Sequence, residues 1–469
     1  MEERILAGPA IAAVSTPVGT GAVAVVRVSG KSSVDIVDTI FRPSGRSPLR
    51  DCPTHTIQYG WIVDPQTKAE VDEVLVMLMR SPRTFTREDV VEINCHGGAY
   101  VQRRILELLF QSGARPAEPG EFTKRAFLNG RMDLSQAEAV MDVIAAQTDL
   151  SLRSSVNSLK GGLGQKIDRI RGLLLELMAQ MEANIDYPEY DVEEVTLEAV
   201  QQCCEAILSD MEGLWRTADS GRILQQGIRT AIVGRPNVGK SSLLNALLQQ
   251  QRAIVADVPG TTRDTIEESV DLGGVPLRLI DTAGIRDTED AVEKIGVTLA
   301  RQVVEDSDLV LMVLDAGAGC GEEERALFQE IRHKEYLLLL NKSDLKTARG
   351  VEEIVMELGE PQAREHILAI SAKEEEGLGD VVRWIKERFL DGGIVIGRDP
   401  MISNLRQKEA LRRGMAGLRA VLRGVGEGIP QDMLLIDLAD ACDAVGEISG
   451  HSVRDDVIQE IFSRFCLGK

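Results

Sequence analysis

Three short stretches of this chain combine residue types that suit a nucleoside triphosphate. "GRPNVGKS", Gly234 to Ser241, fits the pattern GxxxxGK[ST] between a valine-containing apolar run and the stretch "SLLNALL". Glycines at this spacing let backbone N–H groups wrap phosphate oxygens at a helix N-terminus. Lys240 then neutralises the β and γ oxygens, and Ser241 offers its hydroxyl to Mg²⁺. Asn237, Val238, Gly239 and Ser242 complete the wrapped loop. Farther along, "NKSD" supplies Asn341, Lys342 and Asp344, and "SAK" supplies Ser371, Ala372 and Lys373. An aspartate accepts from both N–H donors on the guanine edge, a pattern adenine lacks, so the base is expected to be guanine. Each motif alone has a plain alternative, a surface turn without function; their order along the chain disfavours it.

Two further segments fall between these. "ADVPGT" and the following threonine contribute Ala256, Asp257, Val258, Pro259, Gly260, Thr261 and Thr262. Thr262 is expected to add a Mg²⁺ ligand in a switch loop that the γ-phosphate orders. "DTAG" contributes Asp281, Thr282, Ala283 and Gly284, and is followed by Ile285. Ras-type proteins carry there the glutamine that orients the attacking water. An isoleucine can neither orient water nor carry charge, so something else must serve hydrolysis.

The surrounding pattern supplies elements to hold these residues. Residues 222 to 390 alternate apolar strands ("IRTAIVG", "LRLIDTAG", "DLVLMVLD", "EYLLLLNKSD", "HILAISA") with helical stretches. That alternation predicts a doubly wound parallel sheet with right-handed crossovers. Residues 1 to 118 read as mixed α/β: "IAAVSTP", "AVAVVRVSG", "VDEVLVMLM" and "DVVEINC" as strands, then a helix ending near Gly113. Residues 119 to 221 turn helical. Two short helices are expected on either side of Asn129-Gly130, the second capped near Asp133 or Ser135. Ile167, Ile170, Leu174, Leu177 and Met181 then recur at three and four residues, the packing stripe of a long amphipathic helix. "DGGIVIGRDP" reads as a linker, and residues 391 to 469 are helical again, so the nucleotide-binding unit lies between two helical stretches, which one discontinuous domain could unite.

At 469 residues the chain is expected to form several domains. Its net charge of −21 repels nucleic acid at long range, so RNA contact must come from local basic patches or a partner. Arg406, Lys408, Arg412 and Arg413 form one such run, and Lys124, Arg125 and Arg131 another, although such runs are usually solvated faces. The seven cysteines include no CxxC, which favours reduced thiols over a disulfide framework or zinc site. No apolar run approaches the ~20 residues of a membrane helix. The start lacks a signal-peptide pattern, and the expectation is a cytoplasmic protein.

"GRPNVGKSSLLNALL", "VPGTTRD", "DTAGIRDTEDAVEKIG", "EDVVEINCHGG", "PGEFTKRAFLNGRMDLSQAEA" and the terminal "FCLGK" together resemble the family of tRNA-modification GTPases called MnmE or TrmE, over nearly the whole chain. The resemblance implies a folate-binding, dimerising N-terminal α/β domain, a discontinuous helical domain and an inserted P-loop G domain. It also implies a K⁺ ion held by Asn237, the carbonyls of Ala256 and Val258, and Thr261. A monovalent charge there stands where an arginine finger stands in other GTPases. Glu293, twelve positions after Asp281, matches the family's water-orienting residue; read alone it would be an exposed helix glutamate. Two G domains are expected to meet face to face.

Arg27, Glu92, Arg131 and Lys469 match the family's contacts to 5-formyl- or methylene-tetrahydrofolate. Relatives often have lysine at position 131, and glycine is common where this chain has Arg87. For Cys466 the resemblance leaves two readings, a part in the modification chemistry and a structural thiol. A prenylation signal is disfavoured by the final Gly468-Lys469 and by the lack of a polybasic flank. The implied activity is potassium-dependent GTP hydrolysis by a homodimer. With the flavoprotein MnmG it would install a carboxymethylaminomethyl-type group on the wobble uridine of certain tRNAs. The rival readings are a ribosome-assembly GTPase that binds rRNA without modification chemistry and a membrane-associated switch.

Overall fold

The computed structural model describes residues 8–17, 19–45, 47–186, 196–250, 268–280, 303–390 and 400–469. The chain forms two compact units, one of residues 1–141, 159–192 and 430–469, the other of residues 142–158 and 193–429.

In the first unit, strands β1 (Ile11–Val14), β2 (Val23–Ser29), β3 (Phe41–Pro43), β4 (Thr56–Val63), β5 (Glu70–Met79), β6 (Val90–His96) and β7 (Arg115–Pro116) form one sheet in the order β3-β4-β5-β6-β2-β1-β7. All neighbours are antiparallel except β1 and β7. Alternation assigns the faces. Val74, Val76 and Leu78 of β5, with Val26 and Val28 of β2, are buried beneath helices α1 (Ser33–Ile40) and α2 (Ala99–Gln111). The intervening Leu75 points outward, as do Ile57 and Tyr59 of β4 and Val23 of β2, each about half exposed or more. Four strands match their expectation. Helix α1 and strands β3 and β4, whose apolar patterns are short or interrupted, were not anticipated.

Helices α3 (Glu121–Leu128) and α4 (Leu134–Ala145) flank the Asn129-Gly130 break. Asp133 settles the capping choice: its Oδ1 accepts from Gln136 N at 2.9 Å while Gln136 Oε1 accepts from Asp133 N at 3.0 Å, a reciprocal capping box. After α5 (Asp149–Leu159), α6 (Gly162–Asp186) buries the predicted stripe, with Ile167, Ile170, Leu174 and Met181 at 0% exposure. Each such side chain contributes about 1.5–3 kcal/mol relative to exposure.

In the second unit, α7 (Leu197–Gln226) leads into a six-stranded sheet. Its strands are β8 (Ile228–Val233), β9 (Glu268–Leu272), β10 (Val275–Leu279), β11 (Leu309–Asp315), β12 (Tyr336–Asn341) and β13 (Ile367–Ala369), in the order β13-β12-β11-β8-β10-β9. It is parallel as expected, except that β9 runs antiparallel to β10 as an edge hairpin. Alternate residues of β11 and β12 enter two cores. Leu311, Val313 and Leu339 pack with α8 (Lys240–Gln250) and α11 (Leu378–Phe389); Met312, Leu314 and Leu338 pack with α9 (Glu322–Ile331) and α10 (Val351–Leu358). A strand buried on both faces must be continuously apolar, which is why "LVLMV" and "YLLLL" read as they do. Helix α12 (Leu405–Gly426) packs along α7 in this unit, and α13 (Gln431–Ser449) along α6 in the other, followed by α14 (Asp455–Ser463). Among the described residues no helix is long and apolar enough to cross a membrane.

Within α7, a methyl group on Gly221 would overlap the carbonyl oxygen of Ile402, whereas nothing lies within 4 Å of one placed on Gly213. Gly221→Ala is therefore expected to destabilise by about 1–3 kcal/mol. Gly213→Ala is expected to stabilise by about 0.5–1 kcal/mol through helix propensity. Thermal or denaturant unfolding of the two variants reads opposite signs.

Candidate functional site

The phosphate loop, the NKSD motif and the SAK motif converge at the carboxyl ends of β8 and β12 and the loop after β13. The turn from β8 to α8 holds Asn237 at φ +63° and Gly239 at φ +102°, left-handed conformations that let successive N–H groups face one cavity. Two glycines there are obligatory. A side chain on Gly234 would overlap Val313 O, and one on Gly239 would overlap the amide nitrogen of Asn341. Lys240 Nζ lies inside the loop, donating to Gly234 O at 2.7 Å and Arg235 O at 2.8 Å, and burial pushes its pKa below the ordinary 10.5. An ammonium held only by carbonyls in a desolvated cradle suits an incoming phosphate. Ser241 and Ser242 are exposed at the start of α8, and Val238 is buried behind them.

Asn341 is 3% exposed, and its side chain is committed within the protein. Nδ2 donates to Val238 O at 2.8 Å, and Oδ1 accepts from Ala372 N at 3.0 Å. It therefore joins the phosphate loop to the SAK segment. Asp344 is exposed, with Oδ1 accepting from Ser371 Oγ at 2.7 Å, which orients the carboxylate toward solvent where a base would dock. Lys342, at φ +65°, donates to Asn237 O at 3.0 Å and to Asp315 Oδ2 at 2.6 Å. Lys373 is exposed beside Glu374.

Two contributors escaped the sequence reading. Asp315 ends β11 and anchors Lys342; its signal is a lone acid closing an apolar strand. Arg235 pairs with the buried Glu324 of α9, a contact between distant segments that no local pattern announces. Ala256 to Thr262, Asp281 to Gly284, Ile285 and Glu293 lie outside the described residues. The donor set fits Mg²⁺ and nucleotide where it is described: a hydroxyl at a helix start, an amine held within the loop and an exposed carboxylate beyond it. Among the described residues no cluster of three His, Cys, Asp or Glu could hold a metal.

In the other unit, the four residues matched to folate gather around two rings. Arg27 and Glu92 are register partners on β2 and β6, with Nε to Oε1 at 2.8 Å. The Arg27 guanidinium lies 5.6 Å from the ring centroids of Phe85 and Phe122. Arg131 covers Phe85 at 4.8 Å and donates to Phe85 O at 3.2 Å; burial, then the neighbouring Arg87, lowers its pKa.

The chain end completes the group. Ser15 Oγ and Arg27 Nη1 donate to Gly468 O at 3.1 and 3.3 Å, and Phe122 N donates to Lys469 O at 3.1 Å. Burial, then Arg27, pushes the Lys469 amine below its ordinary 10.5. Cys466 is exposed, its carbonyl accepting from Gly120 and Lys469. Arg87 adopts φ +58°, the left-handed conformation a glycine would take without strain, and donates to Asn129 O at 3.0 Å. Arg125 is a correction to the second basic run. Its side chain is 9% exposed and paired with Glu88 and Glu121, so it offers nothing to RNA.

The doubly covered parallel sheet, the phosphate cradle and the paired NKSD and SAK loops define a P-loop GTPase. Two family models match the chain: MnmE helical domain over residues 134–466, and GTP-binding protein TrmE N-terminus over residues 10–131. The chain is 49% identical to the tRNA modification GTPase MnmE of Enterococcus faecalis over 100% of both chains. It is 47% identical to that of Bacillus subtilis over 98% of this chain and 99% of the other. A solved structure of Aquifex aeolicus Era bound to GDP·AlF4⁻ aligns at 26% identity over 40% of this chain and 66% of that one, with a TM-score of 0.27. The chain belongs to the MnmE family of tRNA-modification GTPases, and its enzymatic activity is GTP hydrolysis.

Burial raises the Asp315 pKa, but the Lys342 hydrogen bond and two backbone N–H groups outweigh it, leaving the carboxyl below its ordinary 3.8. A depressed carboxylate contributes stability that is full above the unfolded value and lost as pH falls through the folded one. Asp315→Asn is thus expected to cost about 1.5–3 kcal/mol at neutral pH. In urea titrations at stepped pH, the gap to wild type should stay constant above pH 3.8 and close below it.

Proposed function

We propose that this chain is a potassium-dependent, homodimeric GTPase of the cytoplasm that acts with an MnmG flavoprotein on tRNA. The product is a carboxymethylaminomethyl-type group at C5 of the wobble uridine, with a tetrahydrofolate one-carbon unit as donor. The observation that carries the reading is the cross-linked nucleotide site, in which Asn341 ties the Lys240 loop to Ala372 while Ser371 orients Asp344. That site lies in a chain related along its whole length to tRNA modification GTPases.

In this reading Lys240 meets the β and γ oxygens, with the backbone from Asn237 to Ser242 wrapped around them. Ser241 and Thr262 hold Mg²⁺, and Asp344 accepts from both guanine N–H donors. Asn237, the Ala256 and Val258 carbonyls and Thr261 hold K⁺, which supplies positive charge beside the γ-phosphate when bound. Glu293 orients the attacking water in place of Ile285. Phe85, Arg27, Glu92, Arg131 and Lys469 form the folate site, where three cations around one carboxylate favour a ligand with an anionic tail. The outward row of Ile57, Tyr59, Leu75 and Val23, about half exposed or more on one open sheet face, supports pairing of two copies through this unit.

Asp344→Asn loses two charge-assisted acceptor contacts and is expected to weaken GTP binding about 10²-fold or more. Xanthosine triphosphate, whose edge offers an acceptor in place of one donor, should gain in turn; equal loss for both nucleotides counts against the assignment. Glu293→Ala should lower kcat by about 10²–10⁴ while leaving GTP affinity near wild type. Na⁺ in place of K⁺ should lower kcat similarly. Full hydrolysis by Glu293→Ala or in Na⁺ excludes this mechanism. Nucleoside analysis of tRNA from cells lacking the protein tests the pathway, and unmodified wobble uridine is the expected finding.

A further inference from the structure

Helix α12 departs from the charge of the rest of the molecule. In a chain of net charge −21, it carries Arg406, Lys408, Arg412, Arg413, Arg419 and Arg423 against a single acid, Glu409. Lys408, Arg412, Arg419 and Arg423 are spaced by four, seven and four residues, so they share one helix face. Fifteen steps of 1.5 Å rise from Lys408 to Arg423 give that stripe a length of about 22 Å.

The stripe borders a cleft between α7 and α12 of about 370 Å³, lined by Glu212, Trp215, Arg216, Arg412, Met415 and Arg419. This volume falls in the range of about 300–1,000 Å³ typical of sites for compact organic ligands. Trp215 is half-buried, and Lys408 Nζ stands 5.0 Å from its ring centroid. The lining thus combines an aromatic face, a thioether and three guanidinium groups.

The carboxylates that face these cations are Glu212, Asp219 and Glu409. Glu212 pairs with Arg419 at 2.9 Å, Asp219 with Lys408 at 2.6 Å and Glu409 with Arg412 at 2.6 Å. All three pairs are solvent-exposed on at least one side, and such pairs are worth about 0–1 kcal/mol. A phosphate can therefore replace a carboxylate on either arginine at little cost. Guanidinium groups match phosphate oxygens in fork geometry, and an indole face stacks on any base. A merely acidic protein segment would use the charges and leave the Trp215 ring without a role.

We propose that the α7–α12 cleft binds an unpaired nucleotide of the RNA substrate, with Trp215 stacked on the base and Arg412 and Arg419 on flanking phosphates. The assignment rests on the reading of the chain as an enzyme of tRNA. It gives this unit an RNA contact that is separate from the nucleotide site.

The test uses full-length protein and a fluorescently labelled, unmodified tRNA transcript, with affinity read by anisotropy across a salt series. The Arg412→Gln/Arg419→Gln double variant should bind at least about tenfold more weakly at low salt. Its slope of log K against log salt should fall by about 1.4–1.8, the loss of two phosphate contacts. GTP hydrolysis without tRNA should match wild type, which establishes that the variant is folded. Tryptophan emission should be quenched by tRNA in wild type and much less in Trp215→Phe, which keeps an aromatic ring for packing.

A double variant with wild-type affinity and slope overturns the proposal. So does a variant that binds tRNA normally but no longer binds the flavoprotein partner, because the cleft would then serve a protein. If wild type itself does not bind tRNA, the broader functional reading falls together with this surface. Wild-type binding that survives both substitutions rejects the surface alone.

Discussion

One buried carboxamide holds the nucleotide site in register. The phosphate loop, the NKSD turn and the SAK turn leave different strands, and their relative placement decides whether one nucleotide can touch all three. Asn341 fixes it by donating to Val238 O and accepting from Ala372 N at 3% exposure. Each group left unpaired by its loss would cost about 1–3 kcal/mol in so dry a place. The requirement runs back into the sequence, since Gly239 is the residue whose side chain would occupy the space of the Asn341 amide. Lys342 and Asp315 form a second tie, from the end of β11 through the ammonium to the carbonyl of Asn237. Asn341 and Lys342 are thus the framework, and Asp344 is the residue of that motif left facing solvent for a base.

The first unit applies a different constraint. Arg27, Arg131 and Lys469 converge on a region with Glu92 as the carboxylate partner of Arg27. Burial, then Arg27, holds the Lys469 pKa down, and burial, then Arg87, holds that of Arg131 down, so each cation carries a desolvation cost and a like charge nearby. An anionic ligand relieves that repulsion and gains affinity from it. The tail is held mainly by backbone groups: the carbonyls of Cys466, Gly468 and Lys469 all accept hydrogen bonds from the body of the unit. Main-chain docking fixes the Lys469 amine and exposes the Cys466 thiol without requiring either side chain to anchor the segment.

Much of this architecture was legible because its signals are local or periodic. The stripe from Ile167 to Met181 is a packing face, and "LVLMV" and "YLLLL" are strands covered on both sides. The phosphate loop was legible because left-handed backbone and close approach leave few alternatives to glycine. Pairings between distant segments were not. Nothing near Arg235 announces Glu324, and nothing near Arg125 announces Glu88, 37 residues away, although Glu121 lies one helical turn before it on α3. Arg87 illustrates the same limit. Its left-handed backbone is what a glycine would satisfy, yet the hydrogen bond that accompanies an arginine there goes to Asn129, 42 residues away.

The charge distribution constrains where RNA can sit. A net charge of −21 repels a polyanion at distance, but at 0.1 M salt the repulsion is screened beyond about 10 Å. Within that range a phosphodiester strand responds to the nearest charges, and along the stripe these are Lys408, Arg412, Arg419 and Arg423, set against the weakly held carboxylates Glu212, Asp219 and Glu409. An overall acidic protein with a basic stripe of about 22 Å therefore discriminates by position: contact is favourable on the stripe and unfavourable over most of the remaining surface. The acidity that opposes an RNA substrate at long range then works as a positioning device, because it removes competing registers that a uniformly basic protein would allow.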